Sequence, residues 1–292
     1  MKQRITLLAV LAGIGLATAA LAQQPRSDAP APAAVRDAGE RAGIVFPSRV
    51  QQGALVIGKV PAGSQARFGG RDLRVTPYGS VAFGIGRDAT GEAMVEVTPP
   101  NASTQRIAIA IDKRAWAIQH VRGVPPSTVN PPPKIAARIA RESARIVEAR
   151  RTDSSGTDFA QAFQWPVQGR ISGRFGNQRI YDGTPKSPHS GMDIAAPGGT
   201  PIKAPAGGTV TLAEPDFYVT GGTVMIDHGM GVGSNFLHMS RLDVKVGDVV
   251  KQGDVIGAVG STGRSTGPHL HWGMTWFDTR IDPLLVLERG KN

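Results

Sequence analysis

Two short spacings carry most of the chemistry in this sequence. His269-Leu270-His271 sets two imidazoles two residues apart. On a strand both fall on one face, about 7 Å apart at the backbone, and the apolar Leu270 and Trp272 point to a strand whose other face is buried. His189-Ser190-Gly191-Met192-Asp193 sets a carboxylate four residues after a histidine. On a helix the two would share a face. Pro188 and Gly191 favour instead a loop running into a strand, with Gly191 freeing the backbone so that both side chains converge on one ion. Two imidazole nitrogens and one carboxylate oxygen are a ligand set of catalytic zinc, with a fourth position open to water. Zinc so held lowers the pKa of water toward ~7, and a neutral imidazole beside it can accept the proton and pass it on. Five of the six histidines lie between positions 189 and 271, so some are left for acid–base work. The alternative for the same residues is a set of surface and core histidines with no metal.

The surroundings extend the pattern. Gly191-Met192-Asp193-Ile194-Ala195-Ala196-Pro197-Gly198-Gly199-Thr200-Pro201-Ile202, Ile226-Asp227-His228-Gly229, Val246-Gly247-Asp248-Val249-Val250-Lys251-Gln252-Gly253 and Gly260-Ser261-Thr262-Gly263-Arg264-Ser265-Thr266-Gly267-Pro268-His269-Leu270-His271 follow in order. Together with His238 they make the stretch from about 165 to 285 resemble the M23 zinc metallopeptidases, the LytM or lysostaphin type. The resemblance implies that His189, Asp193 and His271 hold one zinc ion. It implies that His269 is a general acid or base that does not bind the ion, and that His238 assists by hydrogen bonding the water or the developing oxyanion. His228 is expected to be structural. The implied reaction is hydrolysis of peptide cross-links in bacterial peptidoglycan, with D-alanyl–diaminopimelate cleavage by a D,D-endopeptidase favoured and the stem peptides as partner. The alternatives are a non-catalytic relative that activates cell-wall amidases, against which the complete histidine and aspartate set argues, and a secreted bacteriolytic protease. One departure is Phe236-Leu237-His238, where members of the family often carry Tyr-Ala-His. The glycine-rich 260–267 stretch lacks the Gly-Lys-Ser/Thr ending of a phosphate loop and leads into a strand rather than a helix, so a groove wall is expected there. Arg179, Tyr181, Tyr218 and Trp272 are candidate substrate contacts, as polar or aromatic groups flanking the motifs.

The elements that must position these residues read as mainly β. Period-2 runs at Leu55–Ile57, Leu73–Val75, Met94–Val97, Arg106–Asp112 and Trp116–Val121 alternate with Gly- and Pro-rich turns and suggest a small, Ig-like β-sandwich over 44–124. His120 stands alone on the last run and is expected to pack or hydrogen bond. Pro131-Pro132-Pro133 precedes a helix over 134–151, with Ile135, Ile139, Ile146 and Val147 near one face. That helix carries six basic and two acidic residues. A linker helix packed on its neighbour is expected, the alternative for its basic face being a membrane surface or an anionic polymer. Residues 152–163 read as a second linker. From 165 to 292 short strands at 209–212, 223–227 and 242–246, with further apolar runs at Val249 and Val255-Ile256, suggest an antiparallel sheet domain with a groove.

Composition narrows the setting. With no cysteine, disulfides, thiolate metal sites and cysteine nucleophiles are excluded. The 37 glycines and 22 prolines among 292 residues are too many for a helical bundle. Lys2 and Arg4, the apolar run Ile5–Leu21 and the small-x-small end Ala20-Leu21-Ala22 form a secretory signal pattern over 1–22, the alternative being a retained anchor. A flexible linker over 23–43 and a Pro-rich linker with the basic helix over 125–164 complete the organisation. The formal net charge of +10 implies an anionic partner. Export excludes nucleic acid as that partner and points to the periplasm or cell envelope.

Overall fold

A computed structural model describes residues 43–121, 131–181 and 183–289. The export pattern, nearly all of the 23–43 linker and the 122–130 stretch lie outside the described residues. The first β layer contains β1 (Arg49–Gln51), β2 (Leu55–Lys59), β3 (Gln65–Phe68), β4 (Arg71–Leu73), β5 (Ser80–Gly84), β6 (Glu92–Thr98) and β7 (Gln105–Asp112). Five of these form a sheet in the order β1-β7-β6-β3-β4, and β2 pairs with β5 apart from it. The alternation in β6 explains its place: Ala93, Val95 and Val97 are buried while Glu92 and Met94 are exposed, so one face meets the core and the other water.

The second layer follows β8 (Ile118–Val121) and helix α1 (Pro133–Arg150). Its strands are β9 (Arg170–Gly173), β10 (Gln178–Tyr181), β11 (Thr184–Pro185), β12 (Met192–Ala195), β13 (Pro201–Lys203), β14 (Gly208–Phe217), β15 (Gly221–Asp227), β16 (Val232–Met239), β17 (Arg241–Leu242), β18 (Val249–Val250), β19 (Val255–Ala258), β20 (His269–Trp276) and β21 (Thr279–Ile281), and helix α2 (Pro283–Arg289) closes the chain's described part. The main sheet runs β18-β14-β15-β16-β20-β12-β9, with β21 on β20. Every pairing in it is antiparallel. Strand β17 is shorter than the 242–246 alternation suggests, because Val244-Lys245-Val246 leaves the sheet for a turn in which Asp248 accepts the Lys245 N–H at 2.9 Å.

The two β layers share one core. Leu270, Trp272, Met274 and Trp276 alternate on one face of β20 and are all buried. Trp276 meets Phe68 at 6.0 Å between ring centroids, Phe68 meets Phe83 at 4.2 Å, and the Arg71 guanidinium lies 3.9 Å over Phe277. Strand β8 adds a parallel pairing to β10, aligning His120 with Ile180. His120 is exposed there. Residues 152–163 are more than a linker. Phe159, on a 3-10 turn at Asp158–Ala160, and Phe163 are buried in the shared core.

The opposite face of the main sheet receives α1. The helix begins with proline in its first turn, where the missing N–H has no helical partner to lose. Ile146 and Ala149 pack on Leu212, Phe217 and Met225. Arg138 reaches Asp216, Arg145 pairs with Glu214, and the Tyr218 N–H donates to Glu142 at 2.7 Å. Two of the six basic residues of 134–151, Arg138 and Arg145, are thus engaged with strand β14.

Candidate functional site

Strands β12, β16 and β20 are neighbours, and their register gathers the singled-out residues. Asp193 lies opposite His271, and Leu237 lies opposite His271 from the other side. Because side chains alternate, His269, His271 and Asp193 emerge on the face away from the shared core. His189 arrives from the loop before β12. His189 Nε2, Asp193 Oδ1 and His271 Nδ1 then converge: 3.0 Å from His189 to Asp193, 3.1 Å between the two imidazoles and 2.8 Å from His271 to Asp193. These are the described residues that could hold a metal ion as a group.

The donor set fits a cation better than it fits a hydrogen-bonded cluster. The His189 Nδ1–H donates to the Arg174 carbonyl at 3.0 Å, which leaves Nε2 as a bare lone pair. That lone pair faces a carboxylate oxygen, an acceptor against an acceptor. His271 Nε2 is buried without a hydrogen-bond partner. Burial pushes the His271 imidazole down to about 4, so it is neutral near pH 7. Burial would raise the Asp193 carboxyl, but the His189 and His271 imidazoles beside it outweigh that and keep Asp193 ionised. Two imidazoles and one carboxylate on a triangle of this size match the tetrahedral N/O sites of zinc, whose ~2.0–2.1 Å bonds set ligand atoms about 3.3 Å apart.

Glycines make room for the cluster. A Cβ on Gly191 would sit 2.8 Å from His271 Nε2 and 2.5 Å from the Trp272 carbonyl oxygen. One on Gly173 would meet Asp193 Oδ2 at 2.4 Å. Gly191 is therefore required by close approach; its φ lies outside the left-handed region.

His238 and His269 stand beside the triad, with rings 4.9 Å apart. Each is held through Nδ1: His238 donates to the Thr262 carbonyl at 2.9 Å and His269 to the Gly267 carbonyl at 2.8 Å. The Nε2 atoms are left free to take a proton, and that of His269 lies 3.9 Å from Asp193 Oδ1. Burial lowers the His238 imidazole, keeping it neutral. His238 adopts φ 64°, a left-handed conformation uncommon outside glycine. The glycine-rich 260–267 segment supplies both anchoring carbonyls, which are backbone groups and leave no mark on residue type. His228 is remote from this cluster. Its Nδ1–H donates to the Gly207 carbonyl at 2.6 Å and its Nε2 accepts from Ser234 Oγ at 2.8 Å, so both nitrogens are spent on structure.

The four candidate substrate contacts divide. Arg179 reaches Asp193 Oδ2 at 3.4 Å and so orients a ligating carboxylate. Tyr218 is exposed at the end of β14, beside Arg138 of α1. The Tyr181 side chain lies outside the described residues. Trp272 is corrected: it is fully buried in the shared core and its indole N–H donates to Ser234 Oγ at 3.3 Å, so it has no surface to offer a substrate. Its neighbour in sequence to a ligand faces the groove; the period of two sends Trp272 the other way.

A β-sheet groove floored by a His2Asp cluster, with two further imidazoles poised above it, defines a metal-dependent hydrolase. The family model described as peptidase family M23 matches residues 187–283. A Pseudomonas aeruginosa protein assigned to peptidase M23, known from a crystal structure, is 33% identical, with 81% of this chain and 94% of that chain covered at a TM-score of 0.63. The chain belongs to peptidase family M23. It is similar to the peptidoglycan DD-endopeptidase ShyA of Vibrio cholerae, 40% identical over 124 residues, 41% of this chain and 29% of that protein. It is also similar to the DD-carboxypeptidase/endopeptidase Mpg of Neisseria meningitidis, 49% identical over 99 residues, 34% of this chain and 22% of that protein. The chain therefore spans less than a third of the length of these curated relatives.

Proposed function

We propose that this chain is an exported zinc metalloendopeptidase that hydrolyses peptide cross-links of bacterial peptidoglycan, most favourably as a D,D-endopeptidase. The observation that carries the reading is the convergence of His189 Nε2, Asp193 Oδ1 and His271 Nδ1 within 3.1 Å of one another. The relatives named for DD-endopeptidase activity and the secretory pattern over 1–22 support the substrate and the compartment.

His189, Asp193 and His271 would hold the zinc, which when bound polarises a carbonyl and lowers the pKa of water toward ~7. The rest of the chemistry falls to the chain. His269 Nε2, fixed by the Nδ1 bond to Gly267, accepts a proton from the attacking water and returns it to the leaving amine. His238, held through its Nδ1–H to the Thr262 carbonyl, keeps a neutral Nε2 that accepts a hydrogen bond from the attacking water and orients it. Arg179 orients the Asp193 carboxylate, and Gly173 leaves room for it. The basic chain gains encounter rate on a polymer whose stem peptides carry free carboxylates.

The test is mass spectrometry of products released from purified sacculi by the zinc-loaded chain. Monomeric muropeptides with free D-alanine carboxyl ends are expected. Cleavage of glycan or of the amide that joins stem to sugar, with cross-links intact, would overturn the reading.

A further inference from the structure

Helix α1 lies on the same face of the main sheet as the metal ligands, and it does not close fully onto it. A cavity of about 250 Å³ remains between helix and sheet. Part of its wall neighbours the metal cluster: Ser190 follows His189, Leu237 precedes His238 and pairs with His271, and the Thr220 carbonyl accepts the His238 N–H at 2.8 Å. Its wall also includes two arginines, Arg150 from the last turn of α1 and Arg280 from β21. Arg280 pairs with Thr275, which is four residues beyond His271 on the metal-bearing face of β20.

The electrostatics of this cavity are one-sided. Among the described residues no carboxylate lines it; hydroxyls, one amide and apolar groups complete the wall. Arg150 Nε is buried with no hydrogen-bond partner, an uncommon and costly state for a charged donor. Burial, and then the neighbouring Arg150, push the Arg280 guanidinium down to about 10. Asp278 acts on both arginines only through space. Two like charges held together without a contacting anion mark a place where one would be stabilised strongly.

We infer that the α1 cavity, headed by Arg150 and Arg280, is a subsite for a carboxylate of the peptide substrate. Four residues of strand separate His271 from Thr275, about 14 Å, and the long arginine side chains shorten that gap. An extended peptide rises ~3.3–3.6 Å per residue, so the recognised carboxylate stands within about three residues of the scissile bond. The subsite would make the enzyme selective for stem peptides whose carboxylates are free over those whose carboxylates are amidated.

This inference rests on the peptidase reading, and the test keeps the two apart. The zinc-loaded full chain is given a synthetic cross-linked stem-peptide dimer with free carboxylates and the same dimer with carboxamides. Preference for the free acid by tenfold or more in kcat/KM is expected. Arg280→Met and Arg150→Met should bring that ratio close to one, with zinc content and melting temperature confirming the fold. Arg280→Lys should keep part of the preference. Equal turnover of both dimers by the unaltered chain, or an unchanged ratio in both methionine variants, would overturn the subsite. If neither dimer is cut, the peptidase reading fails, and calorimetric binding of the two dimers decides the subsite alone: tighter binding of the acid that Arg280→Met abolishes supports it, and equal binding overturns it.

Discussion

Each histidine of the site is assigned its task by what its second nitrogen touches. His189, His238 and His269 all donate through Nδ1 to backbone carbonyls, so all three present Nε2, while His271 presents Nδ1 to the cluster. Residue type alone leaves these roles interchangeable; the anchoring carbonyls separate them. His271→Ala should therefore lose zinc by metal analysis and lose activity with it. His269→Ala should keep about one zinc per chain and lose roughly 10²–10⁴-fold in kcat, the usual share of general acid–base catalysis. Loss of metal in the His269 variant would mean that ligand and base have been exchanged.

At the scale of elements, the site depends on backbones that come unusually close. Gly191→Ala should lower zinc affinity while leaving the circular dichroism spectrum in place, since the added carbon strikes His271 and the β20 backbone at one point. The 152–163 segment works as a strap through Phe159 and Phe163. Phe159→Ala should cost about 3–5 kcal/mol in denaturant melts, the range for emptying a buried aromatic site. A cost near zero would return the segment to the status of a linker. Helix α1 was legible as an amphipathic helix with a basic face, and its bounds move by one residue at each end. Its destination on the metal-bearing face was not, because the acidic partners Glu214 and Asp216 lie some 70 residues away along the chain.

For the whole molecule, the shared core implies joint folding of the two β layers. Phe83 touches Phe68, which touches Trp276 on the strand that carries His269 and His271. Phe83→Ala should lower a single melting transition rather than split off an early one. The buried His228 adds a pH dependence. Its imidazole is pushed down from 6.5 to about 4 by burial, so the stability it protects is complete above pH 6.5 and is lost as pH falls toward 4. Below that range the loss amounts to about 3 kcal/mol. Urea melts between pH 7.5 and 4.5 should be flatter for His228→Gln than for the unaltered chain.

The chain's sequence determines the family, the donor types and the local period of most strands, because each of these is written in residue type and short spacing. The pair His269-x-His271 is two residues apart and needs only a strand to align it. Tertiary structure decides what spacing does not encode: that Trp272 turns inward while its neighbour His271 turns to the groove, that Arg179 serves Asp193, and that two arginines 130 positions apart share one cavity. These depend on which strands are neighbours and which face each one buries. Contacts between distant segments fix both, and a sequence pattern carries only half of each such contact.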